Sequence, residues 1–117
     1  MFAAPINMFS LAYPEKSSNW ANRFQMFATQ NMWTFILLDS YNGRLWQVQY
    51  STQDLDNLFC IPINKYELVE NNERCIFSIQ PLTSMYQYYL INDNTGDMWK
   101  FQWSTKGDDY RWIERFR

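Results

Sequence analysis

The fold of this chain is decided by residues 32–52, which read MWTFILLDSYNGRLWQVQYST, because the same pattern returns 53 residues later. Residues 85–105 read MYQYYLINDNTGDMWKFQWST. At this offset residues 24–64 align with residues 77–117 without a gap, and nine of the 41 pairs are identical. The identical pairs include Gly43/Gly96, Trp46/Trp99 and Gln49/Gln102. The sequence therefore predicts an internal duplication of one structural unit.

Each copy of the unit has the pattern of a β-hairpin with a glycine in its turn. Apolar runs rich in aromatic and branched residues flank the polar clusters 39–43 and 92–96. Glycine adopts the positive φ that closes a longer hairpin loop. An Asp or Asn side chain at the start of the loop accepts hydrogen bonds from the turn amides. We therefore expect a positive φ at each glycine, and side-chain caps from Asp39 and Asn92.

The residues that follow each glycine alternate between apolar and polar side chains. In the first copy Trp46 and Val48 alternate with Gln47 and Gln49, and the second copy repeats the alternation. A period of two indicates a strand with one face in a core and the other toward water or a polar partner. The sequence thus predicts that both copies turn their tryptophan-bearing side, with Trp46 and Trp99, toward a shared interior.

Four strands are predicted in each copy, and helix is nearly absent. The predicted strands are 23–28, 31–38, 44–51 and 58–63 in the first copy, and 75–80, 85–91, 97–104 and 110–116 in the second. The second of these strands is apolar on both faces, which is typical of a strand that is covered on both sides.

The predicted fold class is all-β, an internally duplicated pair of four-stranded antiparallel meanders. A single sheet would leave one apolar face and two raw edges exposed, so we expect the pair to form a pseudo-twofold barrel or sandwich. The hairpins are also typical of propeller-blade-like units. Two blades do not close a propeller, so that alternative requires oligomerisation.

The chain is predicted to consist of an N-terminal extension and one β domain. The extension is residues 1–21, and the domain is residues 22–117, made of repeats at about 22–64 and 75–117. A net charge of −2 gives no general attraction to nucleic acid. No apolar run is long enough for a membrane-spanning helix. The apolar N-terminal residues lack the basic segment of a signal peptide, so we expect none in this sequence.

The two cysteines, Cys60 and Cys75, occupy non-equivalent positions of the two copies, and the chain has no histidine. Burial as small apolar side chains is the expectation for both cysteines, and a disulfide in an oxidising compartment is the alternative. Without histidine the chain lacks the commonest general base and metal ligand. This composition argues against an enzyme.

Repeated polar side chains, together with aromatic side chains of the second copy, form the candidate ligand-binding set. The repeated glutamines and serines lie on the side opposite the tryptophans. There they would bind sugar hydroxyls or a peptide backbone, or else satisfy buried backbone groups and start the following turn. The second copy is richer in tyrosine and tryptophan, as binding surfaces tend to be. The candidates are Gln49, Gln102, Ser51, Ser104, Tyr88 and Trp103.

The carboxylates offer little support for catalysis. Asp54, Asp56, Asp108 and Asp109 follow the third strand of each copy, and only Asp56 and Asp109 are equivalent. A glycosidase needs two carboxylates at a defined separation, and oxygen ligands in such loops would suit calcium. Solvated acidic turns explain these residues more simply. We expect no catalytic residues, no metal and no cofactor.

The run NMWTFILLDSYNGRLWQVQYST, residues 31–52, resembles a motif that occurs twice in a set of short bacterial proteins, a family of unknown function. The resemblance covers the chain from about residue 23 onward, and WQVQYS is its most specific part. The second copy departs from the motif, with Asn92 for the usual aspartate and Lys100-Phe101 for Gln-Val. The resemblance implies a β fold of two repeats and assigns no catalytic or binding role to any residue of this chain.

The sequence therefore predicts a non-enzymatic interaction module whose partner is a protein or a glycan. One alternative is a carbohydrate-active enzyme that uses the loop carboxylates. Another is a structural or assembly subunit, in which open sheet edges join copies into a homo-oligomer. The sequence specifies neither the ligand nor the cellular compartment.

Overall fold

The computed structural model describes residues 22–50 and 58–117, which form two four-stranded antiparallel sheets. The first sheet contains β1 (Phe24–Ala28), β2 (Thr34–Asp39), β3 (Arg44–Gln49) and β4 (Phe59–Pro62). The second contains β5 (Phe77–Pro81), β6 (Gln87–Asn92), β7 (Met98–Gln102) and β8 (Trp112–Arg115). A short 3₁₀ helix, Asp108–Tyr110, precedes β8. No helix in this part of the chain is long and apolar enough to cross a membrane.

The strand order is sequential in both sheets, so each sheet is a meander. The predicted all-β fold with two four-stranded antiparallel meanders is confirmed, and each predicted strand overlaps an observed one. The two sheets stack as in a sandwich, and they do not close into a barrel. The N-terminal extension, residues 1–21, lies outside the described residues.

The glycine turns adopt the predicted conformation. Gly43 has φ +82° and Gly96 has φ +81°. The Asp39 carboxylate accepts a hydrogen bond from the Tyr41 amide at 3.1 Å, and the Asn92 side chain accepts one from the Asn94 amide at 2.9 Å. The predicted caps are therefore confirmed at both turns.

One hydrophobic core lies between the two sheets. The first sheet contributes Ile36, Leu38, Leu45 and Ile63, and the second contributes Phe77, Tyr88, Leu90, Trp99, Phe101 and Trp103. Because successive side chains of a strand point to opposite faces, each sheet has one inner face in this core and one outer face.

The two sheets bury non-equivalent sides: the strand positions that face the core in one copy face outward in the other. Trp99 is buried, whereas Trp46, its equivalent in the first copy, is only partly buried and points away from the second sheet. The prediction that both copies turn the tryptophan side inward is therefore wrong for the first copy. The reason is that β2 is apolar on both faces, while in β3 the polar Gln47 is the buried side chain, against the usual alternation. A twofold axis would bring equivalent faces together; the sheets instead stack head to tail, with non-equivalent faces in contact.

Hydrogen bonds across the core fix the stacking of the sheets. The Ser40 carbonyl accepts from the amides of Ile76 and Phe77 at 2.9 and 3.0 Å. The buried Gln47 side chain accepts from the Ser104 amide at 3.1 Å. These bonds join the first sheet to both ends of the second, so the inner faces are held in one register.

The expected burial of the cysteines is wrong. Cys60 lies on β4 and Cys75 lies just before β5, and both side chains are exposed. The expectation relied on the general preference of cysteine for the interior. The strand positions override it, because β4 is an edge strand and Cys75 lies outside the sheet.

Candidate interaction surface

The outer face of the first sheet is the side of β1–β4 that points away from the second sheet. Its side chains belong to alternate strand positions, since they are the neighbours of the core residues along each strand. We define the face by Phe24, Met26, Phe35, Leu37, Trp46 and Val48. All six are apolar, so a continuous apolar surface covers this side of the sheet.

The aromatic side chains of this face are more accessible than their equivalents in the second sheet. Phe24 is 55% exposed, while Phe77, the same residue type at the equivalent position, is 3% exposed. Met26 is likewise exposed, whereas its equivalent Ile79 packs against the core. The difference arises because the first sheet covers the side of the second that carries Phe77. Among the described residues, no sheet covers the side that carries Phe24.

Charged groups lie at the ends of this face. Arg23 forms a two-point ion pair with Asp39, with Nε–Oδ1 at 3.0 Å and Nη2–Oδ2 at 2.9 Å. The hydrogen bond to Asp39 raises the pKa of Arg23 above its ordinary value. The Arg44 guanidinium lies 5.0 Å from the centre of the Trp46 ring. An apolar centre with a charged rim is typical of a protein interface.

Cys60 adds a thiol to the same face. It is paired with Val48 in the β3–β4 register, and paired residues of neighbouring strands point to the same side of a sheet. Partial burial raises the pKa of the Cys60 thiol above its ordinary value. The reactivity of this thiol toward reagents therefore measures whether the face is covered, because anything docked on the face would block access to Cys60.

The predicted ligand residues Tyr88 and Trp103 have their rings in the core. Tyr88 stacks on Phe101 with ring centres 5.3 Å apart, and burial raises the pKa of Tyr88. Trp103 is fully buried, and its indole N–H donates to the Met85 carbonyl at 3.0 Å. In the structure both rings are used for packing.

The predicted glutamines make equivalent cross-strand hydrogen bonds. Gln49 accepts from the Thr34 hydroxyl at 2.8 Å, and Gln102 accepts from the Gln87 side chain at 2.8 Å. Positions 34 and 87 are also equivalent under the 53-residue offset. These amides align neighbouring strands, which is the structural alternative considered for them.

The structure brings Gln102, Trp103 and Ser104 together at one pocket of about 180 Å³. Ser104 is buried, and its hydroxyl accepts from the Lys106 amide at 2.9 Å. Gln49 lies in the other sheet, and Ser51 lies outside the described residues. The rest of the pocket is formed by Tyr86, Thr105, Lys106 and Tyr110.

The candidate carboxylates are only partly described. Asp54 and Asp56 lie outside the described residues. Asp108 and Asp109 belong to the 3₁₀ helix, where Asp108 accepts from Arg111 at 2.6 Å. In residues 22–50 and 58–117, no three acidic or cysteine side chains lie close enough together to hold a metal ion.

No protein-family model matches this chain, no curated protein matches it, and no solved structure matches it. The candidate residues chosen from the sequence did not include the outer face of the first sheet. Its signal was present in β2, whose two apolar faces indicate a strand covered on both sides. In this chain only one side of β2 has a sheet over it.

Proposed function

We propose that the chain is a non-enzymatic interaction module and that the outer face of its first sheet docks a protein. The observation that carries the proposal is the exposure of Phe24 and Met26 on a continuous apolar sheet face. Large exposed apolar patches on soluble proteins mark interaction sites. The partner would be a protein that presents a complementary surface of apolar side chains.

The chemistry of the face favours a protein over a glycan. A glycan site needs several polar groups that fix the orientation of the sugar hydroxyls. The side chains that define this face carry no hydrogen-bonding group except the Trp46 indole, and Arg23, Asp39 and Arg44 lie at its ends. Burial of apolar side chains would therefore provide most of the binding free energy.

A photo-crosslinking amino acid at position 26 tests the proposal in cells of the protein's own host. The control places the same amino acid at Tyr66, which is highly exposed in the segment that connects the sheets. We expect position 26 to give a discrete covalent adduct with a protein, and position 66 to give none. Equal labelling from both positions, or none from position 26, would contradict the proposal.

A second candidate function is glycan binding at the pocket beside Trp103. The rings of Tyr86 and Tyr110 are both exposed at this pocket, and the Lys106 ammonium lies 5.5 Å from the centre of the Tyr110 ring. Exposed aromatic rings beside polar groups suit sugar stacking and hydrogen bonding. Binding on a glycan array that is lost in Tyr110→Ala and kept in Tyr66→Ala would support it.

A further inference from the structure

We propose that the partner is a second copy of this chain, docked head to tail. The outer face of the first sheet of one copy covers the outer face of the second sheet of the next copy. This inference rests on the proposed function, since it names the partner of the same surface. It follows from comparing the free faces with the junction that the chain already contains.

The junction between the two sheets is the template for the contact. Under the 53-residue offset, the outer face of the first sheet corresponds to the inner face of the second: positions 24, 37 and 46 align with the core residues Phe77, Leu90 and Trp99. The outer face of the second sheet corresponds to the inner face of the first. It carries the apolar or aromatic side chains Tyr89, Ile91, Met98 and Phe116, together with the paired charges Lys100 and Glu114. The two outer faces therefore occupy the same strand positions as the two inner faces that already pack together in the core.

The exposure of equivalent residues shows which contacts are missing in the single chain. Phe116 is 47% exposed, while its equivalent Ile63 is 7% exposed. Both residues hold the same backbone position. The Phe116 amide donates to the Met98 carbonyl of β7, and the Ile63 amide donates to the Leu45 carbonyl of β3, each at 2.9 Å. Phe24 and Phe116 would meet at one end of the new junction, as Phe77 and Ile63 lie at one end of the existing core.

The space beside the two turn glycines points to the same neighbour. A Cβ built on Gly43 would lie 3.1 Å from the ring of Phe77 and 2.9 Å from Leu68. A Cβ built on Gly96 would have no atom within 4 Å. The place that Phe77 takes beside Gly43 is thus open beside Gly96. In the head-to-tail contact the equivalent residue, Phe24 of the next copy, occupies it.

The backbone offers a matching hydrogen-bond site. The Ser40 carbonyl receives the amides of Ile76 and Phe77 across the existing junction. The equivalent carbonyl in the second copy is that of Asp93, and the equivalent amides are those of Arg23 and Phe24. The next copy can therefore repeat this backbone contact.

A second copy explains more than another occupant would. A single contact covers two exposed faces, the outer face of the first sheet in one copy and the outer face of the second sheet in the next. Such a contact is heterologous, so repetition closes a ring when the rotation allows it. Rings of stacked four-stranded sheets contain about four to eight sheets. With two sheets per chain, we expect about two to four copies in a ring.

Sedimentation of purified protein with two charge variants tests the inference. Phe24→Glu spoils the outer face of the first sheet, and Phe116→Glu spoils that of the second. Both side chains are exposed in the single chain, so each variant is expected to fold, which circular dichroism checks. Tyr66→Glu is the control, since it adds the same charge outside both faces.

The wild type and Tyr66→Glu should sediment at about two to four times the 14.3 kDa chain mass. Each face variant alone should associate at least about tenfold more weakly, because an aromatic contact of the interface is replaced by a buried charge. An equimolar mixture of the two variants should recover a dimer, because one intact junction forms between their unaltered faces. A face-to-face dimer of first sheets would instead leave Phe116→Glu associated and the mixture unchanged.

A wild type that is monomeric at every concentration overturns the inference. Protection of Cys60 from thiol reagents in that monomer, lost when residues 1–21 are removed, would identify the N-terminal segment as the cover. The crosslinking experiment separates this failure from that of the proposed function. An adduct from position 26 with a different protein supports docking and overturns self-association, while an adduct with the chain itself supports both.

Discussion

At the residue scale, the two turn glycines have one conformation and different surroundings. Gly43 and Gly96 share a left-handed φ, where a side chain costs about 1–2 kcal/mol. Only Gly43 is closely packed, against Leu68 and Phe77. The two positions therefore separate the backbone requirement for glycine from the packing requirement.

We expect Gly43→Ala to lower the free energy of unfolding more than Gly96→Ala does. Both variants bear the backbone strain, and Gly43→Ala adds an overpacking cost of about 1–3 kcal/mol. Urea denaturation at protein concentrations that keep the chain monomeric measures the difference. Equal losses in the two variants would show that the contact of Leu68 and Phe77 with this turn yields easily.

The turn chemistry was predictable from the sequence, whereas the environment of Gln47 was not. Glycine and the preceding Asp or Asn specify the turn through local bonds alone. Gln47 is fully buried, and its side-chain oxygen accepts the Ser104 amide from the second half of the chain. Its partner is 57 residues away, and a polar residue in a strand ordinarily indicates the solvent side. Long-range hydrogen bonds of this kind leave no local pattern.

At the element scale, the period of two located the strands but did not fix which side of the first sheet is inside. In β7 the alternation of Trp99 and Phe101 with Lys100 gives one answer, and the structure agrees. In β2 both sides are apolar. Ile36 and Leu38 form the buried side because the second sheet packs against them. In β3 the alternation indicates the wrong side, because the polar Gln47 is buried, and the outer face of the first sheet was therefore predicted to lie in the core.

Trp99 and Trp46 test this assignment of faces. We expect Trp99→Ala to cost about 3–5 kcal/mol, the usual price of truncating a large core aromatic. Trp46→Ala should cost clearly less in the monomer, because Trp46 is only partly buried. Chemical denaturation of the dilute variants measures both. A loss from Trp46→Ala as large as that from Trp99→Ala would show that this tryptophan is already covered within the single chain.

The ion pair between β8 and the second hairpin turn predicts a pH dependence. Hydrogen bonds from Arg115 at 2.9 Å and from the Thr95 hydroxyl at 3.0 Å lower the pKa of Asp97 below its ordinary value of 3.8. A carboxyl whose pKa is lowered by folding stabilises the fold above its unfolded pKa. That contribution is lost as the pH falls through the folded pKa. Asp97 should therefore favour the folded state above about pH 4.

We expect Arg115→Gln to raise the pKa of Asp97 toward 3.8, since it removes the largest cause of the shift. Carbon-detected NMR of the Asp97 carboxyl across the acid range measures it. Arg117→Gln is the matched control, because it removes the same charge from the exposed end of the chain. An Asp97 titration that is identical in both variants would contradict the assigned contact.

At the scale of the whole molecule, the two sheets depend on each other through one shared core. Each inner face is largely apolar, and each is covered by the other sheet. The segment between them also belongs to the structure, since the Leu68 amide donates to the Asn42 carbonyl at 2.7 Å. The sequence predicted two meanders, but their head-to-tail stacking depends on contacts between distant residues.

We expect the two halves of the chain to fold only together. A fragment of residues 1–69 or of residues 70–117 would expose a complete inner face, and a lone sheet with an open apolar face is prone to aggregate. Each fragment alone should show no cooperative thermal unfolding, and their equimolar mixture should regain one cooperative transition. The control is the folded chain cleaved between residues 70 and 71, which should stay associated and keep its transition. A fragment that unfolds cooperatively by itself as a monomer would show that one sheet is a complete domain, and that the second sheet only lies against it.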